Sequence, residues 1–153
     1  MKALKFISFA VITVLAMTFV SCNDDNYNIG EPFDKVAGTT GEWTVKSVTL
    51  VNGEDEELDI TSYFDFSTFA INLAVDKSFT VTGNAPDYLG VTSGTWKLDN
   101  DETPLYLQLT QGTTTSQFVF VAPPREGTNL KIKIERKAGD EVYASYVYEL
   151  TKK

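Results

Sequence analysis

Histidine is absent from this sequence of 153 residues. Histidine is the commonest general base near neutral pH, and it is also the commonest protein ligand of zinc. Its absence excludes Ser-His-Asp and Cys-His catalytic arrangements, and with them histidine-based zinc sites. We therefore predict that the protein binds no metal ion and no cofactor. Any hydrolytic activity would have to rest on carboxylates or on a Ser-Lys pair.

Cysteine is scarce as well, since Cys22 is the only one in the chain. An internal disulfide is therefore excluded. An apolar, uncharged segment at residues 6–20 comes before it and follows Lys2 and Lys5. This segment is shorter than the roughly 20 apolar residues of a transmembrane helix, and it has the length typical of the hydrophobic region of a signal peptide. We predict a cleaved leader over residues 1–21.

The segment 19–22, with the sequence FVSC, resembles the lipobox of bacterial lipoproteins. The acidic pair Asp24 and Asp25 behind it resembles the surface-export tether of Bacteroidetes-type lipoproteins. The resemblance implies that Cys22 carries fatty acyl chains and anchors the mature protein in the outer membrane, facing either the periplasm or the cell surface. The alternative is an ordinary secretory signal or a short membrane anchor, in which Cys22 has no special role.

Basic residues are outnumbered, with 13 lysines and arginines against 21 aspartates and glutamates and a net charge of −8. Nucleic-acid affinity depends mainly on basic side chains that neutralise phosphates, so we exclude nucleic acid as a partner. Hydrophobic residues make up 42% of the chain, which suits a folded domain. Polar and glycine-rich residues 22–40 predict a flexible acidic tether, and residues 41–153 predict a single β-domain.

Apolar and polar residues alternate with a period of two from Trp43 onward, which is typical of strands with one buried face. Short connections favour antiparallel neighbours. The predicted fold is therefore all-β, an antiparallel up-and-down eight-stranded barrel or half-barrel, with a two-sheet β-sandwich as the alternative. The predicted strands are residues 43–51, 67–75, 78–83, 91–98, 104–110, 115–122, 129–137 and 141–151.

Two irregularities are also predicted. The apolar positions of the first strand change face between Val45 and Val48, which indicates a β-bulge near residues 46–47. Residues 59–65 are the only helical candidate, where Asp59 would cap one short turn.

The tripeptide at 41–43, GEW, resembles the Gly-x-Trp signature that opens the first strand of lipocalins, and GTW at 94–96 repeats it. The layout is similar to the lipocalin-like domains of unknown function found in Bacteroidetes lipoproteins. The resemblance implies a barrel in which Trp43 fills one end and packs against a late basic side chain. By position, Arg136 is the counterpart that the resemblance implies.

Aromatic residues in the later strands are the candidate ligand-binding residues, since ligand pockets are mostly apolar. The competing interpretation is core packing, because the interior of an eight-stranded barrel is only just wide enough for side chains. These candidates are Trp96, Phe118, Phe120, Tyr146 and Tyr148.

The densest acidic run covers residues 54–57 and continues with Asp59. Oxygen-rich loops bind calcium, but the alternating acids and central glycine of an EF-hand are missing. We interpret the run as a solvated loop.

Together these features predict a membrane-anchored, non-enzymatic binding or accessory domain. Its expected partners are the lipid bilayer, through acylated Cys22, and a small apolar ligand, a glycan or another envelope protein. The alternative function is a carboxylate-based hydrolase acting on cell-surface glycans, which requires two carboxylates that converge in a cleft.

Overall fold

Strand β1 forms antiparallel ladders on both of its sides, and this closes the sheet into a barrel. The structure is a computed structural model, and it describes residues 32–86 and 89–153. Its strands are β1 (Gly41–Asn52), β2 (Glu57–Asp59), β3 (Ala70–Leu73), β4 (Ser78–Thr82), β5 (Ser93–Leu98), β6 (Tyr106–Gln111), β7 (Thr114–Phe120), β8 (Leu130–Ala138) and β9 (Glu141–Lys152).

The barrel contains β1 and β3 to β9, each antiparallel to the next, and β9 pairs back to β1. This confirms the predicted eight-stranded up-and-down barrel with a lipocalin-like layout. The sandwich alternative is excluded, because one continuous sheet closes on itself. Strand β2 lies outside the barrel and pairs with the second half of β1, whereas β3 pairs with the first half.

The alternating strand directions place the connections at two opposite ends of the barrel. One end holds the β3–β4, β5–β6 and β7–β8 connections together with helix α1 (Lys35–Thr39), and we call it the helix end. The other end holds the β1–β2 turn, the β2–β3 segment and the β4–β5, β6–β7 and β8–β9 connections. We call it the pocket end.

Helix α1 occupies part of the segment that was predicted to be a flexible tether. The Asp34 carboxylate caps it by accepting the N–H of Ala37 at 2.9 Å. Gly38 is buried against the β7–β8 connection, where an added Cβ would lie 2.8 Å from the backbone nitrogen of Arg125. The helix therefore belongs to the folded unit, which begins at Pro32, and the tether prediction fails here because a distant loop covers the segment.

Trp43 fills the helix end, and its side chain is 1% exposed. Its basic neighbour is Lys152, whose Nζ lies 5.7 Å from the ring centroid. The expectation that Arg136 would be this neighbour is wrong, because β8 runs toward the pocket end and places Arg136 opposite Ala144 near the β8–β9 turn. The two strands that begin and end the barrel instead bring Lys152 directly opposite Trp43.

The second Gly-x-Trp tripeptide builds a similar arrangement. Trp96 is 1% exposed, and its indole N–H donates to the carbonyl oxygen of Ala74 at 2.9 Å. The Nζ of Lys77 lies 4.0 Å from its ring centroid. Gly94 has a φ of +153°, and an added Cβ would overlap the carbonyl group of Thr110. Glycine is therefore required where β5 approaches β6 closely.

Both predicted irregularities have a counterpart in the structure. The register of β1 against β9 shifts between Val45 and Ser47, which confirms the β-bulge. The expected helical turn is shorter than predicted, since one 3-10 turn covers Thr61–Tyr63. The Asp59 carboxylate holds its first residue by accepting the N–H of Thr61 at 2.8 Å.

Candidate functional site

A pocket of about 460 Å³ opens at the pocket end of the barrel. Residues 60–66, which follow β2, form one wall, and residues 84–86, which follow β4, form the other. Strand β9 contributes two tyrosines from the barrel wall. The complete lining is Ile60, Phe64, Asp65, Phe66, Asn84, Ala85, Pro86, Tyr146 and Tyr148.

Two aspartate turns shape the first wall. The turn at Asp59 leads into the 3-10 turn, and in the second turn the Asp65 carboxylate accepts the N–H of Ser67 at 3.0 Å. Short aspartate side chains hold such turns because their oxygens reach the N–H group two residues further on. The N–H of Ile60 donates to the carbonyl oxygen of Val48 at 2.9 Å, which fastens this wall to β1.

The chain that forms the second wall passes close to Thr68, two residues after the first wall. The backbone N–H of Asn84 donates to the Thr68 hydroxyl at 3.2 Å, and its side-chain amide donates to the backbone carbonyl of Asp65 at 3.4 Å. Gly83 has a φ of +74°, and an added Cβ would overlap the Thr68 carbonyl. Only glycine allows so close a crossing in this conformation.

Aromatic rings lead from the mouth of the pocket into the core. The Phe64 and Phe66 ring centroids lie 5.9 Å apart with a tilt of 49°. The Phe66 and Tyr148 centroids lie 6.2 Å apart, with the rings edge to face at 83°. Phe64 is 61% exposed, whereas Tyr148 is buried. The rings of the lining therefore extend from an exposed position to a buried one.

Asp65 supplies the carboxylate of the pocket. The hydroxyl of Ser67 and then its N–H hold the pKa of Asp65 below its usual range, so the carboxylate is ionised at neutral pH. Burial raises the pKa of Tyr148, so this phenol stays neutral. Among the described residues that line the pocket, Asp65 is the only carboxylate, whereas glycoside hydrolysis uses two.

The five candidate ligand-binding residues separate into two groups. Tyr146 and Tyr148 line the pocket. Trp96, Phe118 and Phe120 are buried in the barrel interior and do not line it. The interior gap that Phe118 borders measures about 10 Å³, which is about the space of one water molecule. These three side chains therefore fill the core, and their assignment as ligand contacts is not supported.

Sequence reasoning missed the residues of the first wall, above all Ile60, Phe64 and Phe66. A usable signal was present, because residues 63–66 hold three aromatic side chains around Asp65 in a segment without strand periodicity. Aromatic density in a connecting segment is unusual, since connections normally run over the surface and carry polar residues.

A cluster of charged side chains lies on the outer face of β1, β8 and β9. The Glu149 carboxylate lies 2.7 Å from the Lys46 ammonium and 3.1 Å from that of Lys131, and it accepts the side-chain amide of Asn129 at 2.6 Å. Lys46, then Asn129 and Lys131, lower the pKa of Glu149 to about 2. This carboxylate is saturated with donors and stays ionised, which suits a structural role and not that of a general acid.

Cys22, the predicted acylation site, lies outside the described residues, as does the whole predicted leader. Within residues 32–86 and 89–153, no group of three or more cysteine, aspartate or glutamate side chains is arranged to hold a metal ion. In the same part of the chain, no helix is both long enough and apolar enough to cross a membrane.

A closed eight-stranded antiparallel barrel with a pocket at one end defines the class of this protein. The sequence profile of the family described as a domain of unknown function, DUF5004, matches residues 18–150. The chain belongs to this family. No curated protein and no solved structure matches the chain.

Proposed function

We propose that this protein is a membrane-anchored, non-enzymatic binding domain that takes up a small apolar ligand at the pocket end. The pocket itself carries the proposal. Its volume of about 460 Å³ lies within the roughly 300–1,000 Å³ of known small-molecule sites. Its lining is mostly apolar and aromatic, with the few polar groups, Asp65 and Asn84, that orient a ligand in such sites.

The anchor that we propose is acylated Cys22 in the outer membrane, and it rests on the lipobox-like segment 19–22 and the leader before it. The described chain begins at Pro32, beside α1 at the helix end.

A non-enzymatic role is supported by the ionisation of the acidic side chains. A carboxylate-based hydrolase acting on cell-surface glycans needs one carboxyl group with a raised pKa beside a second, ionised one. In the described pocket lining, Asp65 stands alone as a carboxylate, and its pKa is lowered.

A second candidate function is contact with a glycan or another envelope protein. The observation that favours it is the exposure of two consecutive aromatic residues in the β2–β3 segment, since Tyr63 is 70% and Phe64 is 61% exposed. Such exposed rings are typical of interaction surfaces. We place it second because Phe64 also belongs to the pocket lining.

Fluorescence titration with N-phenylnaphthylamine, a neutral apolar dye, tests the proposal. We expect saturable binding of one dye per chain. Ala85→Trp fills the pocket and should weaken binding at least about tenfold, since each 1.4 kcal/mol changes affinity tenfold. The matched control is Val75→Trp, which adds the same side chain at the helix end, where Val75 is 83% exposed. Equal dye binding by both folded variants would contradict the proposal.

A further inference from the structure

We propose that the pocket selects organic cations, meaning ligands that carry an ammonium group on an apolar body. The proposal rests on the binding function proposed above and adds the sign of the ligand's charge. It follows from three observations: the rings that line the pocket, the cations that the chain places on its other rings, and the ionised carboxylate at the mouth.

The first observation is the ring lining itself. Phe64, Phe66, Tyr146 and Tyr148 all line the same pocket. The faces of aromatic rings are electron-rich, so they attract a cation that lies within about 6 Å of the ring centroid. The tilt of 49° between Phe64 and Phe66, and the 83° between Phe66 and Tyr148, turn the rings toward different directions. Rings at several angles suit a compact cationic group better than a single flat platform does.

The second observation is that basic side chains lie over aromatic rings at the helix end. The Lys77 ammonium lies 4.0 Å from the Trp96 ring centroid, and the Lys152 ammonium lies 5.7 Å from that of Trp43. The guanidinium carbon of Arg125 lies 4.8 Å from the centroid of a third ring, the exposed Phe33. By contrast, the described residues that line the pocket include no lysine and no arginine. No lysine or arginine of the described residues is seen over the rings of Phe64 and Phe66, so a cation on those two rings would have to come from a ligand.

The third observation is the charge at the mouth. The Asp65 carboxylate lines the pocket and is held in its ionised form by Ser67. The exposed acidic run at residues 54–57, together with Asp59, lies at the same end of the barrel. Arg136 and Lys137 also lie there on β8, but Lys137 is ion-paired with Glu135 at 3.2 Å. An excess of one sign around a cleft raises the local concentration of the opposite ion.

The same charges disfavour an anionic ligand such as a free fatty acid. A carboxylate in the pocket would lose its hydration and face the carboxylate of Asp65 without a basic partner in the described lining. Neutral apolar ligands can still bind, because they contact the rings and are neither attracted nor repelled by the charge of Asp65. The expected order of affinity is therefore cation, then neutral ligand, then anion.

Three ligands with one apolar body test this order: phenylbutylamine, phenylbutanol and phenylbutanoate. Each displaces N-phenylnaphthylamine from the full-length chain at neutral pH and low salt. We expect the amine to bind about fivefold more tightly than the alcohol, through the ring contacts and the Asp65 carboxylate together. We expect the carboxylate to bind at least about threefold more weakly than the alcohol, given its repulsion by Asp65.

Two test substitutions and one control separate the effects of charge and of the ring from an effect on folding. Asp65→Asn should reduce the preference for the amine over the alcohol, measured within that variant, to about twofold. Asp76→Asn is the matched control, because Asp76 holds a similar turn by accepting the N–H of Ser78 at 2.9 Å at the helix end. Phe64→Leu keeps the apolar surface but removes the ring, so it should reduce the preference for the amine without abolishing alcohol binding.

The outcomes distinguish the two proposals. If the dye and the alcohol bind but the amine has no advantage, the cation proposal is overturned and the binding function stands. If neither the dye nor any of the three ligands binds, the pocket is no ligand site and both proposals fall. Tighter binding of the carboxylate than of the amine also overturns the cation proposal.

Discussion

The indole N–H of Trp43 donates to the carbonyl oxygen of Thr39 at 2.8 Å, inside the protein. The bond joins the last residue of α1 to the start of β1. Thr39 is 0% exposed, so its carbonyl group has no water to replace the indole. Leaving such a buried acceptor without a donor costs about 1–3 kcal/mol. The bond therefore holds α1 over the helix end of the barrel.

Truncation of Trp43 should destabilise the fold strongly. We expect Trp43→Ala to lower the free energy of unfolding by about 3–5 kcal/mol, because it removes a large buried ring. Trp43→Phe keeps most of the ring but loses the donor to Thr39, with an expected loss of about 1–3 kcal/mol. Urea denaturation followed by circular dichroism measures both changes. Tyr63→Ala is the control at a 70% exposed ring and should change stability by less than about 0.5 kcal/mol. A loss below about 1 kcal/mol for Trp43→Ala contradicts this account.

Gly38→Ala tests the packing of α1. An added Cβ would lie 2.8 Å from the backbone nitrogen of Arg125, and a backbone atom gives way less easily than a side chain. We expect a loss of about 1–3 kcal/mol in the free energy of unfolding, as for other overpacked sites. Gly53→Ala is the matched control, since its nearest neighbour would lie 3.6 Å away, and it should stay within about 0.5 kcal/mol. Equal effects of the two substitutions would show that α1 does not pack as described.

Glu149 should contribute to the loss of stability in acid. The folded-state pKa is about 2, below the ordinary value of 4.5, because Lys46, Asn129 and Lys131 stabilise the ionised form. Its contribution is therefore complete above about pH 4.5 and is lost as the pH falls toward 2. Melting temperatures across this range should fall less steeply for Glu149→Gln than for the unaltered protein. Glu126→Gln, at an exposed loop position, is the control and should leave the slope unchanged. A slope that Glu149→Gln does not alter contradicts the prediction.

Cys22→Ala tests the proposed anchor. We expect the substitution to abolish labelling by radioactive fatty acid and to release the protein from the membrane fraction, because stable anchoring needs the attached acyl chains. Asn23→Ala, which alters the next residue and keeps the thiol, should retain both label and membrane attachment. Unchanged labelling of Cys22→Ala would falsify the lipoprotein proposal.

Periodicity predicted the barrel well because it reports which face of a strand is buried. All eight barrel strands were predicted close to their observed ranges, and the change of face after Val45 marked the bulge. Periodicity does not report depth along the barrel. Phe118 and Tyr148 carry the same inward pattern, yet Phe118 packs in the filled interior and Tyr148 reaches the pocket.

Connections were harder to predict than strands. The pocket wall depends on Gly83 and Asn84 crossing Thr68, which lies more than a dozen residues away in sequence. Helix α1 packs at Gly38 against the backbone of Arg125, and these two residues are still further apart in sequence. Such contacts leave no local pattern, because composition describes only the segment itself and not what packs on it.

The sequence by itself determined that this chain is an acidic, histidine-free, all-β domain with a single cysteine, because composition and a period of two are local properties. Only the tertiary structure decided that Lys152 and not Arg136 covers Trp43, because barrel closure sets which strand ends meet. It also decided where the pocket lies. The β2–β3 and β4–β5 segments, which are distant in sequence, meet at one end of the barrel. The space between their side chains and those of β9 forms the pocket.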